Sequence, residues 1–255
     1  MLQELACGVL VAAGVLSLLM RLFSSRIYDY AIVSMTNLWY EAVIEELPTR
    51  ASVLDVGMGT GTALCRNKTA VRSKGLHFVG IDYNRTYVET AREKMVQEGL
   101  SKAVQCLHGS VYEVDKHPDL PKEKFNAIYF SGSFSLMPSP PDALRATAAL
   151  LKPGGKIYIT QTFQKKATWG MRTLKPLLKF ITTIDFGGLV MEYEVAKMVE
   201  AADMRIERSE KICGSVDNMW QAAYLVVIDP SASSRNSPLK QKKQSQGKGQ
   251  GLTRH

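Results

Sequence analysis

Val53-Leu-Asp-Val-Gly-Met-Gly-Thr-Gly61 decides the fold, because an apolar run passes here directly into a loop with glycine at every second position. Glycine at positions 57, 59 and 61 lets the backbone turn sharply and lets a ligand approach where a Cβ atom would otherwise stand. Residues that favour a helix follow, and the first N–H groups of a helix are open to a ligand. The stretch therefore predicts a strand, a ligand-binding turn and a helix.

An acid at the right distance makes this loop a candidate nucleotide site. Such a site needs a strand before the loop, a helix after it, and an acid about 20 residues further on for the ribose hydroxyls. We expect the strand over Ala51–Val56 and the helix from Thr60 to about Val71. A second apolar strand, Leu76–Asp82, ends in the required acid. The alternative is an ordinary strand–turn–helix unit with an acid there by chance.

The glycine spacing separates two kinds of nucleotide ligand. The loop has the pattern G-x-G-x-G, and Thr62 stands where the dinucleotide pattern G-x-G-x-x-G has its last glycine. Asp55, two residues before Gly57, disfavours a pyrophosphate and favours a cationic ligand. S-adenosylmethionine carries an ammonium and a sulfonium group and no phosphate. The stretch from Asp55 to Gly61 resembles the first motif of class I S-adenosylmethionine-dependent methyltransferases, and Asp82 resembles their ribose-binding acid.

The resemblance continues along the chain from about Val33 to Asp229. It covers a third strand with the turn beneath the adenine, a fourth strand with the substrate-facing loop, and a fifth strand after a Gly-Gly turn. These stretches are Ala103–Ser110, Phe125–Ser133 and Leu150–Ile159. Later segments fit a helix and two strands: Leu189–Ala202, Met204–Ile212 and Trp220–Ile228. The resemblance implies an α/β fold, a doubly wound, mostly parallel, Rossmann-like sheet of seven strands whose last strand is antiparallel.

The same resemblance implies S-adenosylmethionine as the cofactor and a set of residues that bind it. That set is Asp55, Gly57, Gly59, Gly61, Asp82, Tyr83, Gly109, Ser110 and Ser131. The family often has aspartate where Ser110 stands, to bind the adenine amino group. A serine hydroxyl is the weaker acceptor, because charge-assisted hydrogen bonds are about twice as strong as neutral ones. We therefore expect the backbone of residues 108–111 to share the adenine contact.

Candidates for the acceptor side come from the rule that ligands of doubly wound sheets bind past the carboxyl ends of the strands. They are Ser131, Ser133, Phe134, Gln161, Thr162 and Phe163, with Tyr28 and Tyr30 from the segment before the first domain helix. Each aromatic residue among them is equally consistent with packing in the core or a lid. No general base is assigned, because methyl transfer mainly requires the nucleophile to be held in line with the departing sulfur.

Charge and composition divide the chain into three parts. Six of the eight net positive charges lie in the acid-free tail 230–255, so the remainder is close to neutral and no nucleic-acid partner is expected. The tail is predicted to be disordered and solvated, with contact to acidic lipid or RNA as the alternative. The four cysteines and four histidines have no metal-ligand spacing, and we expect the cysteines to be small buried hydrophobic residues with no metal site.

The N-terminal segment predicts a membrane anchor over residues 1–25. Leu5–Phe23 carries a single charge, Arg21, and as a helix would span ~28 Å, close to a bilayer core. Positive charge after the apolar run favours an uncleaved single-pass anchor with the catalytic domain, residues 26–229, in the cytosol. The alternatives are a signal or transit peptide, or a helix buried in protein. Lys165–Ile181 predicts a basic amphipathic lid facing a membrane, or else a helix that packs on its own sheet.

These features predict methyl transfer from S-adenosylmethionine to a small amphiphilic or lipophilic acceptor at a membrane surface. Acceptors of this class include a phospholipid headgroup amine, a quinone or sterol-like lipid, and a hydrophobic thiol or phenol. Three alternatives stay open: a protein methyltransferase, a nucleotide-dependent oxidoreductase and a non-catalytic scaffold with the same fold. Thr62 and Asp55 count against the oxidoreductase. The sequence leaves the acceptor atom and the oligomeric state open.

Overall fold

A seven-stranded mixed sheet forms the centre of the computed structural model, which describes residues 34–165 and 190–231. The strands are β1 Ser52–Val56, β2 His77–Asp82, β3 Val104–His108, β4 Phe125–Ser131, β5 Leu151–Gln164, β6 Arg205–Lys211 and β7 Gln221–Asp229. The helices are α1 over residues 34–46, α2 Thr62–Arg66, α3 Lys68–Ser73, α4 Arg85–Gln97, α5 Pro140–Ala148 and α6 Glu192–Ala201. Short 3₁₀ helices cover Val111–Lys116 and Phe134–Leu136.

The strand order places a topological switch beside the glycine loop. The order is β3-β2-β1-β4-β5-β7-β6, so the chain moves outward from β1 in one direction and then returns to add β4 on its other side. Strands β1 to β5 pair in parallel, whereas β7 is antiparallel to both β5 and β6. The mixed, mostly parallel sheet and its antiparallel last strand are as expected from the sequence. Ligands of such sheets bind where the strand order reverses.

Two apolar layers cover the two faces of the sheet. One contains α1 with residues of α2 and α4, and the other contains residues of α5 and α6. Successive residues of β1 enter different layers: Val53 packs in the first, and Leu54 packs in the second. Because both faces are buried, the central strands are continuously apolar instead of alternating, as parallel sheets require.

Local details differ from the expected elements at two places. The helix expected from Thr60 to Val71 is split into α2 and α3 at Asn67, whose Nδ2 donates to the carbonyl oxygens of Ala63 (3.0 Å) and Asn37 (3.1 Å). The expected Gly-Gly turn lies inside β5, where the register with β4 shifts. Gly154 has φ +77° and lies in the stretch 152–155, where β5 leaves its pairing with β4 before it resumes at Lys156.

One expectation about cysteines is wrong. Cys65 and Cys106 are buried as predicted, but Cys213 is exposed. It lies two residues after the end of β6, in the connection to β7, where the chain leaves the sheet. Its place beside a predicted strand indicated core burial, but the position beyond the strand end leaves its thiol in solvent.

Several expectations fall on residues outside the described ranges. These are the anchor over 1–25, the aromatic residues Tyr28 and Tyr30, the basic segment after Lys165 and the tail after Ser231. Within residues 34–165 and 190–231, no helix combines the length and the hydropathy needed to cross a bilayer.

Candidate functional site

The glycine loop at the end of β1 is held by backbone hydrogen bonds. Gly57 N donates to Ile81 O of β2 (2.8 Å), and Gly61 N donates to Met58 O (3.2 Å). Gly57, Gly59 and Gly61 have φ of +73°, +59° and +64°, a region that favours glycine. The loop therefore needs all three glycines for its backbone conformation.

The surroundings of these three glycines are different. A Cβ atom on Gly57 would lie 2.6 Å from Ser133 Cβ, and one on Gly61 would lie 2.5 Å from Met95 Cε. A Cβ on Gly59 would meet nothing within 4 Å. Two of the glycines thus make room for neighbouring side chains, while the third faces open space. Gly59 is the point at which a ligand can approach the loop backbone.

Asp82 at the end of β2 organises the loop from the other side. Its Oδ2 accepts from Gly59 N and its Oδ1 accepts from Asn84 N, both at 2.9 Å, and the residue is 7% exposed. A carboxylate oxygen can accept more than one hydrogen bond, so both oxygens keep capacity for ribose hydroxyls. The ring of the neighbouring Tyr83 is 82% exposed and is free to stack on a nucleobase.

A methionine fixes the loop against β2. Met58, between the first two glycines, is 5% exposed, and its side chain lies over Gly80 in the middle of β2. A Cβ on Gly80 would lie 1.9 Å from Met58 Sδ, so only glycine leaves room there. No local sequence pattern predicts this pair, because the alternation of residues in a strand does not determine which side chain packs across it.

Asp55 is a fully buried carboxylate with one oxygen unused. Its Oδ2 accepts from Tyr40 OH at 2.6 Å, whereas Oδ1 has no hydrogen-bond partner in the described part of the chain. Burial raises the pKa of Asp55 to about 7; the Tyr40 hydrogen bond opposes that rise and the charge of Asp82 adds to it. A cation placed near Oδ1 would stabilise the ionised form.

Tyr40 is a site residue that sequence reasoning missed. It lies on α1, is 3% exposed, and its ring packs edge-on against Tyr129 with centroids 4.9 Å apart. Its pattern with neighbouring apolar residues is typical of core packing, so only the structure shows that its hydroxyl reaches the carboxylate before the glycine loop. Burial, first, and then the charge of Asp55 raise the pKa of Tyr40 well above its ordinary value. Tyr40 therefore stays a neutral donor.

The turn after β3, where the sequence predicts the adenine contact, is tied to β2 and to the 3₁₀ helix that follows. Gly109 N donates to Asp82 O (3.0 Å), which ties the turn after β3 to the end of β2. Ser110 is exposed, and its Oγ accepts from Tyr112 N (3.3 Å) as the cap of the following 3₁₀ helix. His108 Nε2 lies 3.1 Å from Tyr83 O. The adenine contact of Ser110 stays a prediction, and the capping bond shows a structural reason for serine there.

Polar groups without partners mark the acceptor side. Ser131 Oγ at the end of β4 and Gln161 Oε1 on β5 are buried and have no hydrogen-bond partner among the described residues. Buried polar atoms are nearly always paired, so these two are available to a ligand or to water. Thr162 Oγ1, one residue further on, lies 3.8 Å from Met35 Sδ of α1. These groups lie near the carboxyl ends of the adjacent strands β4 and β5, on the side of β1 opposite to Asp82.

Ser133 has a structural role beside this opening. Its Oγ donates to Val56 O, the last residue of β1, and so joins the loop after β4 to the glycine loop. Its Cβ also occupies the space beside Gly57. The hydroxyl is thereby engaged with the protein, and any contact of Ser133 with an acceptor stays a prediction.

The structure favours core packing for Phe134, one of the two interpretations that the sequence left open. Its side chain is fully buried and packs edge-on against Phe130, with centroids 5.5 Å apart, in the layer that contains α5 and α6. Phe163 is also buried, at 2% exposure. Both residues lie near the carboxyl ends of strands, as expected, but their side chains point into the core instead of lining the acceptor side.

The residues present suit S-adenosylmethionine. The unpaired Oδ1 of Asp55 offers a buried partner for an ammonium group, the open space over Gly59 admits a ligand, and Asp82 has acceptor capacity for ribose hydroxyls. The negative charge of ionised Asp55, added to that of Asp82, would repel a pyrophosphate. Within the two described ranges, no group of histidine, cysteine and acidic residues is arranged to hold a metal ion.

Comparisons with known proteins point to the same family. Residues 53–155 match the family model described as a methyltransferase domain. The ubiquinone biosynthesis O-methyltransferase of Aeromonas salmonicida is 23% identical over 60% of this chain and 63% of its own length. The phosphatidylethanolamine N-methyltransferase of Cereibacter sphaeroides is 24% identical over 72% of this chain and 85% of its own.

A solved structure supports the fold over most of the chain. The S-adenosylmethionine-dependent methyltransferase from Aquifex aeolicus superposes with a TM-score of 0.55 at 23% identity. The superposition covers 74% of this chain and 89% of the Aquifex protein. The superposed part is therefore longer than the matched domain of residues 53–155.

Proposed function

We propose that this chain, which belongs to the class I S-adenosylmethionine-dependent methyltransferases, transfers a methyl group to a small amphiphilic or lipophilic acceptor at a membrane surface. The observation that carries the proposal is the pair of carboxylates on either side of an open glycine loop. Asp55 keeps one buried oxygen free, and Asp82 fixes Gly59. The cofactor supplies a methyl group that is already activated by the positive sulfur.

The chain's own residues then bind and align. Asp55, held by Tyr40, attracts the cationic amino-acid end of the cofactor, and Asp82 with the Gly59 backbone receives its ribose. Ser131 and Gln161 present unpaired oxygens on the acceptor side, where they can orient a nucleophile. Alignment of the reacting atoms about 3 Å apart accounts for most of the rate enhancement in such a displacement.

The class of acceptor is supported by relatives and by the surface of the site. One relative is named for ubiquinone biosynthesis and the other for phosphatidylethanolamine, and both ubiquinone and phosphatidylethanolamine are lipids. In this chain, exposed hydrophobic side chains such as Leu136 and Trp220 lie on the edge of the sheet that carries the glycine loop. We therefore propose a lipophilic acceptor, with the catalytic domain on the cytosolic side of a membrane.

Incubation with methyl-labelled cofactor and a membrane extract tests this proposal. After incubation with the full chain, the extract is separated into an organic phase, an aqueous phase and precipitated protein. We expect label in the organic phase, dependent on the enzyme and abolished in Asp82→Ala. The matched control is Glu123→Ala, which removes an exposed carboxylate just before β4, at the edge of the sheet opposite the glycine loop. Label confined to protein or to the aqueous phase would refute the lipophilic acceptor, and no transfer to any fraction would refute the activity.

A further inference from the structure

Exposed large hydrophobic side chains are concentrated at one edge of the sheet. Over residues 34–165 and 190–231 they are Tyr83, Tyr87, Val96, Leu136, Tyr193, Met219 and Trp220. All except Val96 follow a strand end or begin a helix at the carboxyl edge, where the glycine loop also lies. Val96 lies near the end of α4, at the opposite edge. Single exposed hydrophobic residues need no explanation, but this clustering at the functional edge does.

The outermost members of the cluster sit at the tip of the β6–β7 hairpin. Met219 is 69% exposed and Trp220 is 49% exposed. The next residue, Gln221, pairs with Gln164 at the end of β5, and Lys165 N donates to Trp220 O (2.8 Å). The tip therefore lies beside the carboxyl end of β5. Its strand, β7, is three strand spacings, or about 14 Å, from β1, the strand that leads into the glycine loop.

The turn holds these two side chains outward. Asn218 Oδ1 accepts from Trp220 N (2.9 Å) and from Gln221 N (3.0 Å), so the backbone of the tip is fixed by Asn218. The hairpin ladder and this turn use only backbone groups of Trp220. Neither of them needs an indole or a thioether in solvent, and both would form equally well with polar residues at positions 219 and 220.

Two lysines flank the tip at its base. Lys165 Nζ and Lys211 Nζ both pair with Asp217, the latter at 2.9 Å, and these contacts lower the pKa of Asp217. Two cations against one anion leave a net positive charge there. Tryptophan favours the membrane–water interface because its ring is apolar with one polar edge, and lysines can extend to the level of the phosphates.

We propose that Met219 and Trp220 insert into the interfacial region of a lipid bilayer and so seat the carboxyl edge of the sheet against the membrane. The partner is the bilayer surface, with its anionic and zwitterionic headgroups near Lys165 and Lys211. This inference rests on the proposed function, because it gives the route by which a lipophilic acceptor reaches the ends of β4 and β5. It concerns described residues alone and does not depend on the N-terminal segment.

Depth-dependent quenching tests the insertion directly. The full chain is mixed with vesicles of phosphatidylcholine and phosphatidylserine whose acyl chains carry bromine, a short-range quencher of tryptophan. The emission of Trp220 is isolated as the difference between the parent and Trp220→Phe, which removes the contributions of the other two tryptophans. We expect the Trp220 component to shift to shorter wavelength and to be quenched. The positional control is Val96→Trp in the Trp220→Phe background, which places a reporter at the opposite edge and is expected to show no quenching.

The outcomes separate this proposal from the proposed function. Unquenched Trp220 emission with vesicle-bound protein would overturn the insertion, and equal quenching at position 96 would overturn its location. A second measurement compares turnover of a membrane extract with turnover of the same extract dispersed in detergent. Relative to the parent, Met219→Ser/Trp220→Ser is expected to methylate the membrane extract severalfold more slowly and the detergent-dispersed extract at the same rate. If the double variant matches the parent on both forms of the extract, the insertion is refuted. Absence of turnover in the parent, with Trp220 still quenched, would refute the methyltransferase activity and leave the membrane contact standing.

Discussion

The two sides of the functional edge differ in how fully their polar groups are paired. On the cofactor side, both oxygens of Asp82 accept backbone N–H groups, and Gly57 and Gly109 bond to neighbouring strands. On the acceptor side, Ser131 Oγ and Gln161 Oε1 are buried without partners in the described ranges. The cofactor side is therefore built before any ligand arrives, whereas the acceptor side has polar groups that a ligand or water must satisfy.

Asp55 is the exception on the cofactor side, and its titration gives the largest expected effect. Its pKa in the folded protein is about 7, against an ordinary value of 3.8. Because the folded state holds the proton more tightly, the free energy of unfolding contributed by Asp55 falls as pH rises from about 4 to about 7. The slope is at most about 1.4 kcal/mol per pH unit, or roughly 4 kcal/mol in total. Denaturant unfolding of the cofactor-free parent and of Asp55→Asn across this range measures it.

The comparison variant for Asp55 is Tyr40→Phe. Removing the hydroxyl deletes a hydrogen bond that favours the ionised form, so the pKa of Asp55 should rise and the fall in stability, which still begins near pH 4, should extend to higher pH. Asp55→Asn should lack the fall altogether. Parallel pH profiles for the parent and Asp55→Asn would show that Asp55 has no perturbed titration, and the buried carboxylate would then not be poised for a cation.

Asp82→Ala tests the cofactor side, and its effect on cofactor affinity is the next largest that we expect. The substitution removes two hydrogen bonds to backbone N–H groups as well as the expected ribose contacts. Charged hydrogen bonds contribute about 1.5–3 kcal/mol each, so we expect affinity for S-adenosylhomocysteine to fall about hundredfold or more by calorimetry. The exposed Glu123→Ala, before β4 at the opposite edge of the sheet, serves as the control and should bind as the parent does. Unchanged affinity in Asp82→Ala would remove this residue from the site.

Gly80→Ala tests the packing that supports the loop. The new Cβ would lie 1.9 Å from Met58 Sδ, so the methionine must move away from β2. Overpacking of this kind typically costs about 1–3 kcal/mol of the free energy of unfolding. The double variant Met58→Ala/Gly80→Ala should recover part of that loss, because the clash is removed. Additive losses in the double variant would contradict direct packing between these two residues.

Ser131→Ala tests the acceptor side and has the smallest expected effect on stability. Because the hydroxyl has no partner among the described residues, its removal should change the free energy of unfolding by no more than about 0.5 kcal/mol. Turnover should fall more than cofactor affinity does, since Ser131 lies at the acceptor end of β4. A large loss of stability with unchanged turnover would show that the hydroxyl is structural.

The sequence predicted the parts of the site that depend on residues close to one another along the chain. The loop from Gly57 to Gly61 and the acid Asp82 follow from strand ends and glycine spacing, and the structure brings them together at one edge. The Tyr40–Asp55 bond and the Met58–Gly80 packing join distant elements, and no local pattern encodes such contacts. Phe134 shows the same limit, because proximity to a strand end does not determine which way a side chain points.

The central claim is that the glycine loop binds S-adenosylmethionine and not a dinucleotide. Calorimetric titration of the full chain with S-adenosylmethionine and, in parallel, with NAD tests it most directly. We predict binding of one S-adenosylmethionine per chain and no heat from NAD, because Asp55 repels a pyrophosphate and attracts a cation. Binding of NAD at the same loop, or failure of the folded protein to bind S-adenosylmethionine, would contradict the account.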